Sequence, residues 1–303
     1  LTPARSDNAF LRVHNSCGDA DAGDSRFSAE VGGVHNGRGS YGETRNAGAD
    51  MGCSVRKITV NMATMQSRRA GLQKRIEELA WQCDILRVYL NGFDDWPDDV
   101  VFPSNVEYVC GDGIQAPDMG VQGKLHWLNA QRDEYYLTVD DDIYYPEDYV
   151  AKITGACADY GNRAIVGYHA TRFRIEDGQL PTYPRSHGAM RMLFYADALH
   201  RDTGAHMLGN ATMCCVSSVL GLNAAEVIQP PVHSGDDGDM AVWAQRHAVP
   251  MVALKRRKSW LKADWELCMI DANHRTDGRQ ELQDQKLTTW TAWRQLPVPR
   301  RTL

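Results

Sequence analysis

Asp140, Asp141 and Asp142 end the apolar run YYLTV and open the stretch DDDIYYPEDYV. Three successive carboxylates repel one another, and that repulsion opposes folding unless a positive partner stands beside them. Hard divalent cations such as Mg2+ and Mn2+ take carboxylate oxygens and share their coordination sphere with substrate phosphates. The triplet therefore suggests a metal-bridged diphosphate. A calcium loop of the EF-hand type does not fit, because Tyr145 stands where that loop needs Gly and Ala151 where it needs a bidentate Glu. A solvated acidic turn is the plain alternative.

A second acidic group, Asp236, Asp237 and Asp239, lies in VHSGDDGDMAVWAQRHAVP ahead of a helix expected from about residue 239 to 247. Carboxylates at a helix N-terminus complement its dipole, which accounts for one or two of them. The third is left over, and a carboxylate facing the metal across a pocket could act as a general base. Capping and catalysis both remain open on the residues alone.

These acids need elements to position them. KITVNMA alternates as a strand, and the helix after it carries Leu72, Ile76, Leu79, Ala80 and Cys83 at spacings of three and four. DILRVYL and VEYVC read as strands, KLHWLNAQ as a short helical piece, YYLTV as a strand and PEDYVAKITGACADY as a helix. AIVGYH, ATMCCVSSVL and VPMVAL complete the strands, with residues 170–205 irregular between them. Alternating strands and helices imply a mainly parallel sheet covered by helices, and ligands bind such sheets beyond the carboxyl ends of the strands. Asp140 to Asp142 stand at such an end.

Residues 1–52 are rich in Gly, Asp, Ser and Asn with few periodic apolar positions, and read as an extension or linker. The remainder divides into a catalytic domain, 53–275, and a helical tail, 276–303. A net charge of -6 over 303 residues argues against a nucleic-acid partner. No apolar run reaches the length of a membrane helix, and no secretion signal is visible. The eight cysteines lack metal or disulfide spacing, which suits free thiols in a reducing cytoplasm.

The ordered set of the first strand, ATMQSR, VYLNG, GKLHW, YYLTVDDDIYYPEDYV, VGYH and GDDGDMAVWAQRHAVP resembles glycosyltransferase family 2 and its GT-A fold relatives, in particular bacterial capsule and surface-polysaccharide transferases. The resemblance covers residues 56–262. It implies a GT-A fold, Rossmann-like and built for nucleotide sugars, and transfer of a sugar from a nucleotide donor, expected to be a UDP-sugar, to an acceptor hydroxyl with inversion. Implied partners are that donor and a glycan or lipid-linked glycan acceptor, and the implied cofactor is Mn2+ or Mg2+.

Residue by residue, the resemblance makes Asp142 the metal ligand and Asp140 a ribose or metal contact, with Asp141 assisting either. Asp237 becomes the base, with Asp236 standing where relatives carry Glu. Ala63, Thr64 and Arg68 match a nucleotide-contacting turn, and Asn91 stands where relatives often have an Asp for the base. Lys124 in GKLHW is a diphosphate contact or else a solvent-facing lysine, and His274 or His233 is a further metal ligand. KRRKSWLKADW reads as a cover for an anionic nucleotide or as a solvated basic turn.

Two other classes stand beside the transferase. A nucleotidyltransferase would carry a Gly-rich basic loop after the first strand, and ATMQSRRAGLQKR has one Gly. A non-catalytic binding module has little use for a base opposite a metal. In the tail, Trp290 and Trp293 would share a helical face beside Arg294, Arg300 and Arg301, which makes either a peripheral contact with the inner face of the membrane or a packing element.

Overall fold

The run KITVNMATM forms β1, Lys57–Met65, with six successive residues from Thr59 to Thr64 buried, as expected of a strand covered on both faces. This structure, a computed structural model, describes residues 56–114, 116–181, 188–228, 236–272, 279–290 and 292–301. The proposed N-terminal extension, 1–52, therefore lies outside the described residues, as do His187, His233 and His274.

A 3-10 turn, Gln66–Arg68, leads into α1, Arg69–Leu79, which buries Leu72, Ile76 and Leu79 along one stripe. Strands β2, Ile85–Asn91, and β3, Val106–Gly111, follow, then a 3-10 segment Gly120–Leu125 and β4, Glu134–Asp140. After β5, Ile143–Tyr144, comes α2, Tyr149–Asp159, then β6, Ile165–Gly167, β7, Ala170–Phe173, and β8, Met190–Leu193. Strands β9, Thr203–Ala205, β10, Met207–Leu208, and β11, Thr212–Val216, precede α3, Ser217–Leu220, α4, Ala224–Val227, and α5, Asp236–Arg246. The described chain closes with β12, Met251–Ala253, β13, Lys262–Ala263, α6, Trp265–Ala272, and α7, Arg279–Thr289.

Eight strands form one sheet in the order β3-β2-β1-β4-β11-β6-β12-β9. Strands β1 to β4 are parallel where they pair, while β11 and β9 run against their neighbours. The expected α/β class with a mainly parallel sheet is present, in mixed form. The chain winds from β1 outward to β2 and β3, then returns to place β4 on the other side of β1. The crevice outside the carboxyl ends of β1 and β4 is the switch point where an open α/β sheet binds its ligand.

Each face of the sheet has its own core. On one face α1 and α2 cover Val60, Leu86, Leu137 and Cys214, and on the other Met240 and Trp243 of α5 pack with Tyr136, Met213 and Cys215. Adjacent strand residues point to opposite faces, so Cys214 and Cys215 are packing groups, one in each core.

Four local expectations differ from the structure. ATMCCVSSVL is not one strand, because the chain turns into α3 at Ser217, whose hydroxyl donates to the Asn129 carbonyl. KLHWLNAQ is not a helical piece of its own: only Lys124 and Leu125 are helical, closing the 3-10 segment that begins at Gly120. Helix α5 starts at Asp236, so all three acids of its cluster lie within it. Residues 170–205 contain β7, β8 and β9, with β7 paired to both β8 and β10.

The tail is helical only to Thr289. Trp293 lies beyond the helix, buried, with its indole N–H donated to the Leu287 carbonyl and its ring edge-on to Phe173. The two tryptophans therefore do not share a helical face, and Trp293 packs on the domain. No described helix is long and apolar enough to cross a membrane.

Candidate active site

Register brings the corner together. Ala63 at the end of β1 lies opposite Asp140 at the end of β4, so Thr64 and Arg68 emerge beside Asp141 and Asp142. Thr64 Oγ1 donates to Asp141 at 2.6 Å, and Arg68 Nη1 lies 2.5 Å from Asp141 and 3.3 Å from Asp142. Lys124 Nζ pairs with Asp140 Oδ1. The positive partners demanded by three adjacent carboxylates are present within the chain, one guanidinium and one ammonium.

Lys124 is 3% exposed, so it is not a solvent-facing lysine. Its turn can approach so closely because position 123 is Gly: a Cβ there would lie 2.5 Å from the Tyr89 ring. The Tyr136 hydroxyl then donates to the Lys124 carbonyl at 2.6 Å and fixes the turn to β4.

The three carboxylates differ. Burial raises the Asp141 pKa, although Arg68 and the Thr64 hydroxyl oppose it. Asp142 is pushed up to about 6, chiefly by burial and then by the charge of Asp140. Its other contacts come from the opening of α6: the Cys268 thiol lies 3.4 Å from Oδ2, and the Asp264 N–H donates to the Asp142 carbonyl at 2.7 Å. Asp140 keeps about a third of its side chain exposed.

Strand β11 carries the second acidic group to this corner. Because it is antiparallel to β4, its first residue, Thr212, lies opposite Val139. The Tyr145 hydroxyl accepts the Asp140 N–H at 2.9 Å and donates to the Ala211 carbonyl at 2.7 Å. The neighbouring Asn210 N–H donates to Asp237 Oδ1 at 2.8 Å. Asp237 is thus held to the same sheet edge and remains partly exposed. The Asp236 side chain lies outside the described residues.

Asp239, the third acid of that cluster, is buried and accepts from Lys286 Nζ at 2.8 Å and Gln122 Nε2 at 3.2 Å, joining α5 to α7. Asn91 uses its amide on backbone: Nδ2 donates to the Thr64 and Gly120 carbonyls, and Oδ1 accepts the Met119 N–H. It holds the 119–120 loop over the end of β1. Arg256 of the basic segment is likewise turned inward, donating to the carbonyls of Leu193, Phe194, Tyr195 and Leu254.

No protein-family model matches the chain, and no curated protein matches it significantly. The chemistry must be read from the corner itself. Among the described residues no group of three or more His, Cys, Asp or Glu is arranged to hold a metal. Asp140 and Asp142 nevertheless fit one chemically. They offer hard oxygen donors, burial and then the Asp140 charge hold Asp142 above the usual carboxylate range although Arg68 opposes them, and Mg2+ characteristically takes one or two carboxylates with substrate phosphates completing its shell.

Sequence reading missed Asn210. Asn210 is 1% exposed, yet neither atom of its amide has a hydrogen-bond partner among the described residues. Its one signal was its place in HMLGNATMCC beside Gly209, where a Cβ would lie 2.7 Å from the His169 ring. The His169 pKa falls to about 4, first through burial and then through Arg256, so at neutral pH it is an uncharged wall.

Proposed function

We propose that the protein is a metal-dependent inverting glycosyltransferase of the GT-A fold, moving a sugar from a nucleotide donor, a UDP-sugar, to a hydroxyl of a glycan or lipid-linked glycan in bacterial surface-polysaccharide synthesis. The observation that carries the reading is the convergence at one switch point of Thr64, Arg68 and Lys124, the Asp140 to Asp142 triplet, and Asp237 of α5, tied to Asn210 ahead of β11. A nucleotide diphosphate needs cations and hydrogen-bond donors, and a displacement needs a base across from them.

Asp142 and Asp140 would hold Mn2+ or Mg2+, which when bound neutralises charge on the leaving diphosphate. Lys124, already buried at the corner, would share that task as a point charge. Asp237 would take the proton of the acceptor hydroxyl as its oxygen forms a bond to the anomeric carbon. The bond from that carbon to the diphosphate oxygen breaks on the opposite side, which inverts the centre. The Asn210 N–H fixes Oδ1 of the Asp237 carboxylate at the corner.

The test is a panel of nucleotide sugars titrated into the full chain with and without Mn2+, followed by turnover of the donor that binds. Asp142→Ala should remove the metal dependence of donor binding. Asp237→Asn should keep donor binding and lower turnover by on the order of 10² to 10⁴. Donor binding by Asp142→Ala with the metal dependence of the parent would overturn the metal assignment. Unchanged turnover in Asp237→Asn would overturn the base.

A further inference from the structure

A cavity of about 820 Å³ opens between α2, the segment 198–202 and the segment after β12, and none of its lining residues belongs to the corner described above. Its floor is apolar, made by Gly155 and Ala156 of α2 with Leu199, Leu254 and Tyr168. Its rim is cationic. Of the basic residues there, Lys152 pairs with Asp148, Arg301 with Asp159 and Asp202, and Arg256 with backbone carbonyls. Lys255, Arg257 and Lys258 are exposed on the rim with no ion pair to any described residue.

We propose that this cavity binds an amphiphilic phosphate, with an apolar chain on the Gly155 and Leu254 floor and the phosphate or diphosphate on Lys255, Arg257 and Lys258. Three uncompensated cations around one opening favour a multiply charged anion, and an apolar floor beneath them disfavours one that is polar throughout. The cavity lies near the acidic corner. Trp260 lines it, and Asp264, four residues on, donates its N–H to the Asp142 carbonyl, a separation of at most about 14 Å along an extended chain. On the transferase reading, on which this one step rests, the occupant is the lipid phosphate carrying the acceptor sugar; the binding itself does not depend on it.

Position 155 supplies a clean variant. A Cβ on Gly155 would meet nothing within 4 Å, and the residue sits inside a helix, so Gly155→Leu fills the floor while favouring the helix. Dodecyl phosphate, kept below its micelle concentration, is titrated into the full chain by calorimetry, beside inorganic phosphate and the uncharged dodecyl maltoside. The parent should bind dodecyl phosphate at least tenfold more tightly than either comparator. Gly155→Leu and the triple variant Lys255→Ala, Arg257→Ala, Lys258→Ala should each lose at least tenfold, while their melting temperatures stay at or above that of the parent.

Equal binding of inorganic phosphate or of dodecyl maltoside overturns the proposal, as does dodecyl phosphate binding retained in Gly155→Leu. Nucleotide-sugar binding with Mn2+ is measured on the same samples. If it is present while dodecyl phosphate fails to bind, this site alone is refuted. If dodecyl phosphate binds and no nucleotide sugar does, the transferase reading fails and the cavity stands.

Discussion

The Arg68 guanidinium stands between two neighbouring carboxylates, 2.5 Å from Asp141 and 3.3 Å from Asp142. Arg68 and Asp141 are both almost wholly buried, so neither charge has water to fall back on. Breaking a buried pair from one side leaves a lone charge, typically at a cost of about 3–5 kcal/mol. Arg68→Met should destabilise the protein by that order at pH 7, and adding Asp141→Asn should recover more than half. Urea unfolding of the two single variants and the double variant checks it; additive losses would show that the two groups are independent.

The histidines set an acid limit. His206 stacks on Phe173, and its Nδ1 accepts the Phe173 N–H at 2.9 Å, so a proton added at Nδ1 would face another donor. Burial, then Arg172, lowers its pKa to about 4, and His169 falls to a similar value. With folded pKa values below the unfolded value, both contribute stability in full above about pH 6.5, and it drains away as pH falls toward 4. Between pH 7 and 5 each should cost up to about 2 kcal/mol. His206→Asn, which keeps an acceptor near Nδ1, should lose its share of that slope in unfolding measured at the two pH values.

Asn210 offers a case where stability and turnover part. A buried amide with unpaired atoms carries a desolvation cost of about 1–3 kcal/mol, which Asn210→Ala removes while opening only a small cavity. The variant should be within about 1 kcal/mol of the parent in stability, or above it, yet turn over donor at least tenfold more slowly, because the backbone N–H of this residue holds Asp237 and its orphaned amide is then a group for the substrate to complete. Equal turnover would leave the orphaned amide without a catalytic role.

Trp293 tests the tail. Replacing a buried aromatic by Ala costs about 3–5 kcal/mol, so Trp293→Ala should unfold the domain at markedly lower urea. Vesicle co-sedimentation on the same samples separates packing from membrane contact: unchanged sedimentation with lowered stability marks the indole as core, and lost sedimentation with unchanged stability marks it as a membrane contact.

Much of the frame can be seen in the chain itself. Strand β1 alternates apolar and polar residues, β2 and β4 are mainly apolar runs that end in Asn91 and Asp140, and the spacing of Leu72, Ile76 and Leu79 marks α1. The acidic corner stands out because like charges at a strand end are costly. What could not be seen are partners far apart in sequence. Lys286 meets Asp239 from 47 positions away, Cys268 meets Asp142 from 126, and Asn91 is consumed by a loop 29 residues on. No local spacing encodes such meetings. Lys124 was ambiguous for the same reason, since its burial depends on Gly123 lying against Tyr89.

The segment beyond Trp293 has a consequence for solubility. Strand β9 is an outer strand of the eight-stranded sheet, and a bare outer strand is a template on which other chains can aggregate. Gln295 and Val298 lie so close over Gly204 of β9 that a Cβ there would stand 2.6 Å from the Gln295 amide, while Arg301 fastens the strap to Asp159 and Asp202. The strap thus lies over the face of β9, so cutting the chain after Thr289 would bare that face, release the Arg301 ion pairs and loosen the outer strand, leaving a less stable protein that gathers into assemblies in proportion to its concentration.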